Sequence, residues 1–316
     1  MSSRKILSLS LLLLLCSMVW GVNENAGTTG FNNLQVIYSA RAMGMARAMT
    51  GFSGVIEGMQ FNPASVLQIE DKLLSSTFSS YVVGSNGGAL HFLYPKNENV
   101  TYGVMLHYLN FGQIDRTEVT TGNEYLDLGE TFGASNIMFG LTAARMINPS
   151  IDLGVSLKAI YDQIDTYSAA AVVLDGGLVH HPENDKIQVG VSVRNLGTQV
   201  AYYTEDKYKE GLPLTFAAGI SYQLNPAVLA AIDISKPKAS NLSVKFGAEG
   251  QVHPMLKVRA GYNTNSGDWR TGGDWDWSSG FTFGAGFNWK NYVLDYGIAS
   301  YGNLGFVNQL TLQYQF

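Results

Sequence analysis

Of its 316 residues the chain has one cysteine, Cys16, eight prolines and only 14% charged side chains. Each scarcity excludes something. A single cysteine near the N-terminus rules out a disulfide framework and any cysteine-based metal site. Ordinary soluble domains carry about a quarter charged residues, so this surface is not mainly built for water. The net charge of -5 and the lack of any basic run leave no footprint for nucleic acid. After residue 67 no apolar run reaches the roughly 18 residues of a membrane helix. There is no Gly-x-Ser-x-Gly elbow, no glycine-rich phosphate loop followed by lysine, and no Cys/His metal spacing, so no cofactor and no enzymatic activity are expected. The His180-His181 pair falls at a predicted turn and reads as turn polarity. His91, His107 and His253 stand apart in sequence and read as lining or turn residues.

What is present begins with an export address. Arg4 and Lys5 precede an apolar run over 6–20, which predicts a secretory signal over 1–21, cleaved after about Gly21. The run is too short for a membrane helix. Lipid attachment at Cys16 is the competing reading, but Leu15 before it is larger than such sites usually accept.

From residue 71 onward the pattern is period two. Ile151, Leu153, Val155, Leu157 and Tyr161 fall on one face and Asp152, Ser156, Lys158 and Asp162 on the other; 241–249 and 281–289 repeat the alternation. Fourteen such segments are predicted, each near the 9–11 residues of a tilted membrane strand: 73–84, 88–95, 99–111, 131–147, 150–164, 167–181, 185–196, 213–224, 226–235, 241–252, 254–264, 278–289, 291–301 and 306–316. Odd-numbered connections include the long ones, 112–130, 197–212 and 265–277, whereas even-numbered ones are tight. Long loops on one side and short turns on the other predict an all-β, transmembrane antiparallel barrel. An even strand count returns both ends to the periplasmic side of a bacterial outer membrane.

A soluble sandwich or propeller also alternates. The aromatic residues argue against it. Tyr94, Tyr102, Tyr108, Tyr161, Tyr222, Tyr262, Trp289, Tyr292, Tyr301 and Tyr314 lie near segment ends, as a girdle at the lipid interface requires. The chain ends on Leu310, Leu312, Tyr314 and Phe316. A terminal phenylalanine on such a strand resembles the signal read by the outer-membrane assembly machinery.

If the apolar faces meet lipid, the charges face the lumen. Lys158, Arg194, Lys245, Lys257 and Arg259 oppose Asp162, Asp175, Asp233, Glu249 and Asp295, five of each sign. A selective pore would carry a biased lining, so matched charges predict internal pairing or a plug. Residues 22–70 are long enough to be that plug. Within it, 39–49 reads as a short helix and 51–58 is punctuated by glycine, with Met43, Met45, Met49 and Met59 as adaptable apolar filler or the lining of a hydrophobic path. The plug is expected on the periplasmic side of the lumen.

Ala40-Arg41-Ala42-Met43-Gly44-Met45-Ala46, followed by Phe61-Asn62-Pro63-Ala64, resembles the N-terminal hatch of PorV/PorQ family proteins, a branch of the FadL-type outer-membrane barrels. Ala46 and Arg47 stand where that family usually has glycine, and 51–58 lacks its Asp pair. The resemblance implies a fourteen-strand barrel over 71–316 with the hatch, 22–70, folded into the lumen. It also implies one of two roles: binding exported cargo or components of a type IX-like secretion system at the outer face, taken as the main reading, or passive transport of a hydrophobic small molecule. The loop bearing Asp268, Trp269, Asp274, Trp275 and Trp277 is the candidate partner-binding surface, against the plainer reading that it packs on its own barrel rim.

Overall fold

The computed structural model describes residues 24–316 apart from 26, 120, 121 and 123; the expected signal over 1–21 lies outside the described residues. Fourteen strands, β1 to β14, form one closed antiparallel barrel in which each strand pairs with its sequence neighbours and β1 with β14. Closure leaves no free edge, the condition for backbone at membrane depth. The strands are β1 (Leu73–Ser80), β2 (Asn86–Asn97), β3 (Val100–Val119), β4 (Tyr125–Asn148), β5 (Ile151–Ile164), β6 (Tyr167–His180), β7 (Ile187–Ala201), β8 (Thr215–Asn225), β9 (Val228–Pro237), β10 (Ser243–His253), β11 (Leu256–Asn263), β12 (Phe281–Trp289), β13 (Tyr292–Ser300) and β14 (Phe306–Gln315).

Alternation sorts the two faces. Phe78, Leu90, Leu157, Phe216, Ile232, Phe283 and Leu310 point outward and are exposed, while Ser75, Thr77, Ser79, Thr142, Ser156 and Thr311 point inward and are buried. An apolar belt of this extent is stable only in lipid. The protein is therefore a bacterial outer-membrane barrel, with the start of β1, the end of β14 and the tight turns on the periplasmic side.

The structure corrects several expectations. Residues 112–130 are not a loop: β3 runs 20 residues and β4 24. β2 and β5 stop pairing near Asn110 and Ala134, but β3 and β4 continue against each other to Val119 and Tyr125. The result is a two-stranded ribbon running on for about 30 Å of strand beyond the rim at ~3.3 Å per residue. Above the membrane neither face meets lipid, so the ribbon lacks the apolar alternation that marks the other strands. Tyr301 is not in the girdle: it is 5% exposed inside the lumen. The helix expected over 39–49 covers only Ala40–Gly44, because Ala46 and Arg47 take left-handed backbone angles with φ of 50° and 65°. These are the two positions where the resembled family has glycine.

Residues 27–70 reach from one end of the lumen to the other rather than occupying its periplasmic side alone. Asn33 reaches Asp162 near the extracellular end of β5, at 2.6 Å, and Gly30 bonds Gly211 in the β7–β8 loop. Asn62 and Pro63 lie against Gly177 and Gly154, toward the periplasmic ends of β6 and β5. The wall admits this segment through glycine. Gly154, Gly177, Gly190, Gly219, Gly247, Gly261, Gly284 and Gly297, on eight different strands, meet hatch atoms where a side chain would stand. A Cβ on Gly247 would lie 2.7 Å from the Met45 carbonyl oxygen, and one on Gly261 2.6 Å from the Ala46 nitrogen. Gly44 returns the fit, since its own Cβ would lie 3.0 Å from the Gly284 Cα.

Gly154→Ala tests this packing, because its methyl would overlap the backbone of Pro63 and Ala64, which cannot swing away. The expected loss is about 1–3 kcal/mol, read as a lower temperature at which the folded, fast-migrating form disappears on electrophoresis. Gly176→Ala, with no atom in the way, should leave that temperature unchanged.

Candidate functional site

The hatch is locked by one ionic network. Ser39 caps the short helix, its hydroxyl accepting from the Ala42 amide at 3.1 Å. The cap directs Arg41 at the wall, where its Nε donates to Glu249 at 3.0 Å, with Glu57 at 3.9 Å. Glu249 also takes Arg259 at 2.6 Å and Lys257 at 3.4 Å, and Arg259 continues to Asp295 at 2.5 Å. Three cations meet three carboxylates, and Glu57 further accepts from Ser39 and Gln313. Buried charges are tolerated on these terms, paired and hydrogen-bonded.

The Asn-Pro-Ala segment has a separate logic. Asn62 Oδ1 accepts from the Ala64 amide at 3.2 Å, while Nδ2 donates to the Thr50 and Leu178 carbonyls at 2.9 and 3.0 Å. One side chain thus ties a turn, the hatch and the wall. Pro63 opens a short 3-10 turn, and Ala64 is small enough to lie on Gly154. Met43 and Met45 are buried in two different apolar clusters.

The remaining lumenal charges divide by their partners. Lys158 pairs with Asp175 at 2.7 Å and donates to the Asn195 side-chain oxygen, and the Asn195 backbone N–H donates to Asp175 at 2.7 Å. This trio pins an irregularity: the β6–β7 register shifts between Leu174 and Gly176, and Asn195 has a φ of 61°. Asp162 accepts from Asn33 and Tyr203. Asp233 accepts the Met49 and Thr50 amides at 3.0 and 2.8 Å. Arg194 donates to the Gln60 carbonyl at 2.9 Å and lies over the Phe61 ring. Among the described residues, neither Arg194 nor Lys245 has a carboxylate within 4.0 Å.

Arg194 and Lys245 open instead onto a vestibule of about 270 Å³ between the hatch and the extracellular loops. Leu34, Ile37, Phe61 and Trp269 supply its apolar surface; Arg47, Arg194, Lys245 and Asp268 supply its charge. Tyr301, expected at the lipid interface, accepts from Arg47 at 3.1 Å and stacks on Trp269 with ring centres 4.1 Å apart. Burial raises the Asp268 carboxyl above its ordinary value, against the pull of a hydrogen bond from Asn265.

A second cavity lies on the outside of the same strands. β7 and β8 pair only from Ile187/Tyr222 to Arg194/Thr215; above that, β7 continues on β6 alone. Just below this parting, over the paired stretch of β7 and β8, Val191, Val193, Phe216, Ile234 and Leu242 line an apolar groove of about 500 Å³ facing lipid. Arg194, Thr215 and Ser235 line the vestibule while Val193, Phe216 and Ile234 line the groove, so one thickness of wall separates the two.

The tryptophan loop does not act as a unit. Trp269 turns into the lumen. Trp275 and Trp277 stack on each other and, with Phe281, Phe283, Ile298, Phe306 and two serines, Ser278 and Ser300, line a largely apolar hollow of about 330 Å³ outside the rim. Asp274 is exposed, and Asp276 is occupied by the amides of Thr271 and Gly272. At the other end of the barrel, the Phe316 amide bonds Lys72 at 3.1 Å and its ring meets Phe92 and Tyr314. Sequence reasoning missed Arg47, Tyr301 and Asn195; the sole signal was Arg47 at a family glycine position. It also left His91 and His107 separate, whereas their Nε2 atoms are 2.8 Å apart in the lumen wall.

The described residues thus form a closed fourteen-strand wall around a lumenal N-terminal segment. Among solved structures the chain is similar to the Pseudomonas putida toluene transporter TodX, with a TM-score of 0.64 and 10% identity over 88% of this chain and 98% of that one. It is also similar to the CymD monoaromatic hydrocarbon channel, with a TM-score of 0.61 and 13% identity over 89% and 98%. At these identities the likeness is one of fold. The sequence matches no family model and no curated protein.

Arg41→Gln removes one partner from the ionic network and leaves Glu57 and Glu249 short of positive charge. The expected destabilisation is roughly 2–3 kcal/mol, below that of a fully buried pair, since Arg41 is 20% exposed. Faster amide exchange over 39–67 than in the unaltered protein is the measurement; unchanged protection would remove the network from its locking role.

Proposed function

We propose that the barrel lets a hydrophobic small molecule cross the outer membrane without chemical change. The observation that carries this reading is the β7–β8 wall just below the point where the two strands part, where a part-apolar vestibule open toward the outside and an apolar groove open to lipid share one thickness of wall. A hydrophobic solute gains by leaving water for such surfaces, at about 25 cal/mol per Å². The hatch blocks the straight route, and this stretch of wall offers a sideways one. The description of two neighbours of the same fold as hydrocarbon carriers points the same way.

The secretion role implied by the PorV/PorQ resemblance is the second reading, and one feature favours it. The β3–β4 ribbon stands clear of the rim and exposes Val119, Tyr125 and Leu126 near its tip, a surface on which exported proteins or other secretion components could dock. In this proposal Phe316 serves handover to the assembly machinery in either case.

Vesicles containing the purified barrel are expected to equilibrate toluene faster than empty vesicles. Ala217→Trp, which puts a large ring into the wall between vestibule and groove, should reduce the rate toward that of empty vesicles, while Val258→Trp on a distant lipid-facing strand should not. No acceleration by the unaltered barrel, together with recovery of exported proteins that is lost when the ribbon tip is removed, would replace this reading with the second.

A further inference from the structure

On the lumenal face of β2, β3 and β4, soft and uncharged donors collect at one level. His91 stands opposite Met105 in the β2–β3 ladder, and His107, two residues further along β3, stands opposite Met138 on β4. All four side chains are buried. The two imidazoles meet Nε2 to Nε2 at 2.8 Å, with ring centres 5.0 Å apart. The Met105 sulfur leans over Gly140, 3.0 Å from where a Cβ there would stand. From the hatch, Met59 lays its sulfur over Gly103, the next inward position on β3. Met59, Met105, Met138 and His107 together border a hollow of about 20 Å³, room for one water-sized occupant. Leu34 and Ile37 line this hollow and also the vestibule, so a single stretch of hatch separates the two.

The donor set decides what could bind. Among the described residues no carboxylate or cysteine joins the two imidazoles in a metal-sized group. Lys158 borders the hollow, and Asp175 at 2.7 Å offsets its charge. Calcium and magnesium require oxygen ligands. A buried divalent ion on neutral donors would keep its whole charge uncompensated, which is costly. A monovalent ion carries half that charge, and thioethers with imidazole are the ligands that select Cu(I).

We propose that His91, His107, Met105 and Met138 form a binding site for a soft monovalent metal ion, Cu(I) or its redox-inert analogue Ag(I). The ion takes the place of the hydrogen that the two rings share. The donating ring shifts its proton from Nε2 to Nδ1, both Nε2 lone pairs turn to the metal, and no proton leaves. At ~2 Å per metal–nitrogen bond the two nitrogens part to about 4 Å, a movement for which the hollow beside His107 leaves room. The two thioethers complete the coordination, and the Tyr38 ring, 4.9 Å from that of His107, covers it from the hatch. Such a site uses no residue of the β7–β8 wall and is independent of solute transport.

The test is metal binding to the detergent-purified barrel carrying no polyhistidine tag. Ag(I) is titrated directly, and Cu(I) is offered in competition with bicinchoninate. One ion per chain is expected, with nitrogen and sulfur neighbours in the X-ray absorption of the Cu(I) form and no comparable binding of Zn(II). His91→Phe should abolish this uptake. The double substitution Met105→Leu and Met138→Leu, which conserves core volume, should remove the sulfur neighbours. It should also lower affinity by at least the roughly tenfold that loss of even an outer-shell partner gives. Both variants are first shown to keep the heat-modifiable band, and the methionine variant carries the test alone if His91→Phe does not fold. No uptake by the unaltered barrel, a shell without sulfur, Zn(II) bound as tightly, or uptake unaltered in a folded variant would each overturn the proposal.

Discussion

The structure depends on backbone meeting backbone inside the lumen. A fourteen-strand wall encloses more space than its own side chains can fill, and this chain fills it with its N-terminal segment. That works only because the facing wall positions are glycine and the facing hatch positions are glycine, alanine or a turn. Protein interiors admit few voids and little overlap. The choice of residue on eight strands is therefore set by a segment far away in sequence, and the shape of that segment is set by the wall in return.

Close approach has an electrostatic consequence. Once the hatch lies on the wall, water is excluded between them, and charges there must find each other. Arg41 does so across 208 positions, with Glu249. Above the hatch the wall is not covered, so among the described residues Arg194 and Lys245 of the wall and Arg47 of the hatch border a cavity with no carboxylate within 4.0 Å. The hatch thus divides the lumen into a dry, neutralised part and a positively charged vestibule. The same division explains why Lys158 and Asp175 serve the wall itself: they hold the β6–β7 irregularity at the level where β7 parts from β8.

Fold and function separate at this level. The barrel fold is shared with solved structures at 10% and 13% identity, so very different sequences form the same architecture. What distinguishes this chain lies in a few side chains in the β7–β8 wall and in the vestibule, and in the ribbon above the rim. The transport reading draws on the first and the secretion reading on the second. They occupy different parts of the molecule.

Much of this was legible in the sequence for a simple reason. A strand in a lipid-bounded wall must alternate every second residue, so strand number, the inward-facing charges and the membrane location follow from local pattern. Helical shortness at Ala46 and Arg47, the burial of Tyr301 and the ribbon over 113–133 did not follow. The first depends on left-handed backbone imposed by wall contact, the second on which side of the rim a loop turns, and the third on pairing where no lipid enforces alternation. Above all, five positive and five negative lumenal residues look balanced when counted along the chain. Which of them are partners is decided by strand register and by the path of the hatch, since an ion pair depends on a separation of a few ångströms that no one-dimensional pattern carries. The chain by itself determined a plugged outer-membrane barrel; only the tertiary structure decided which of its charges remain free.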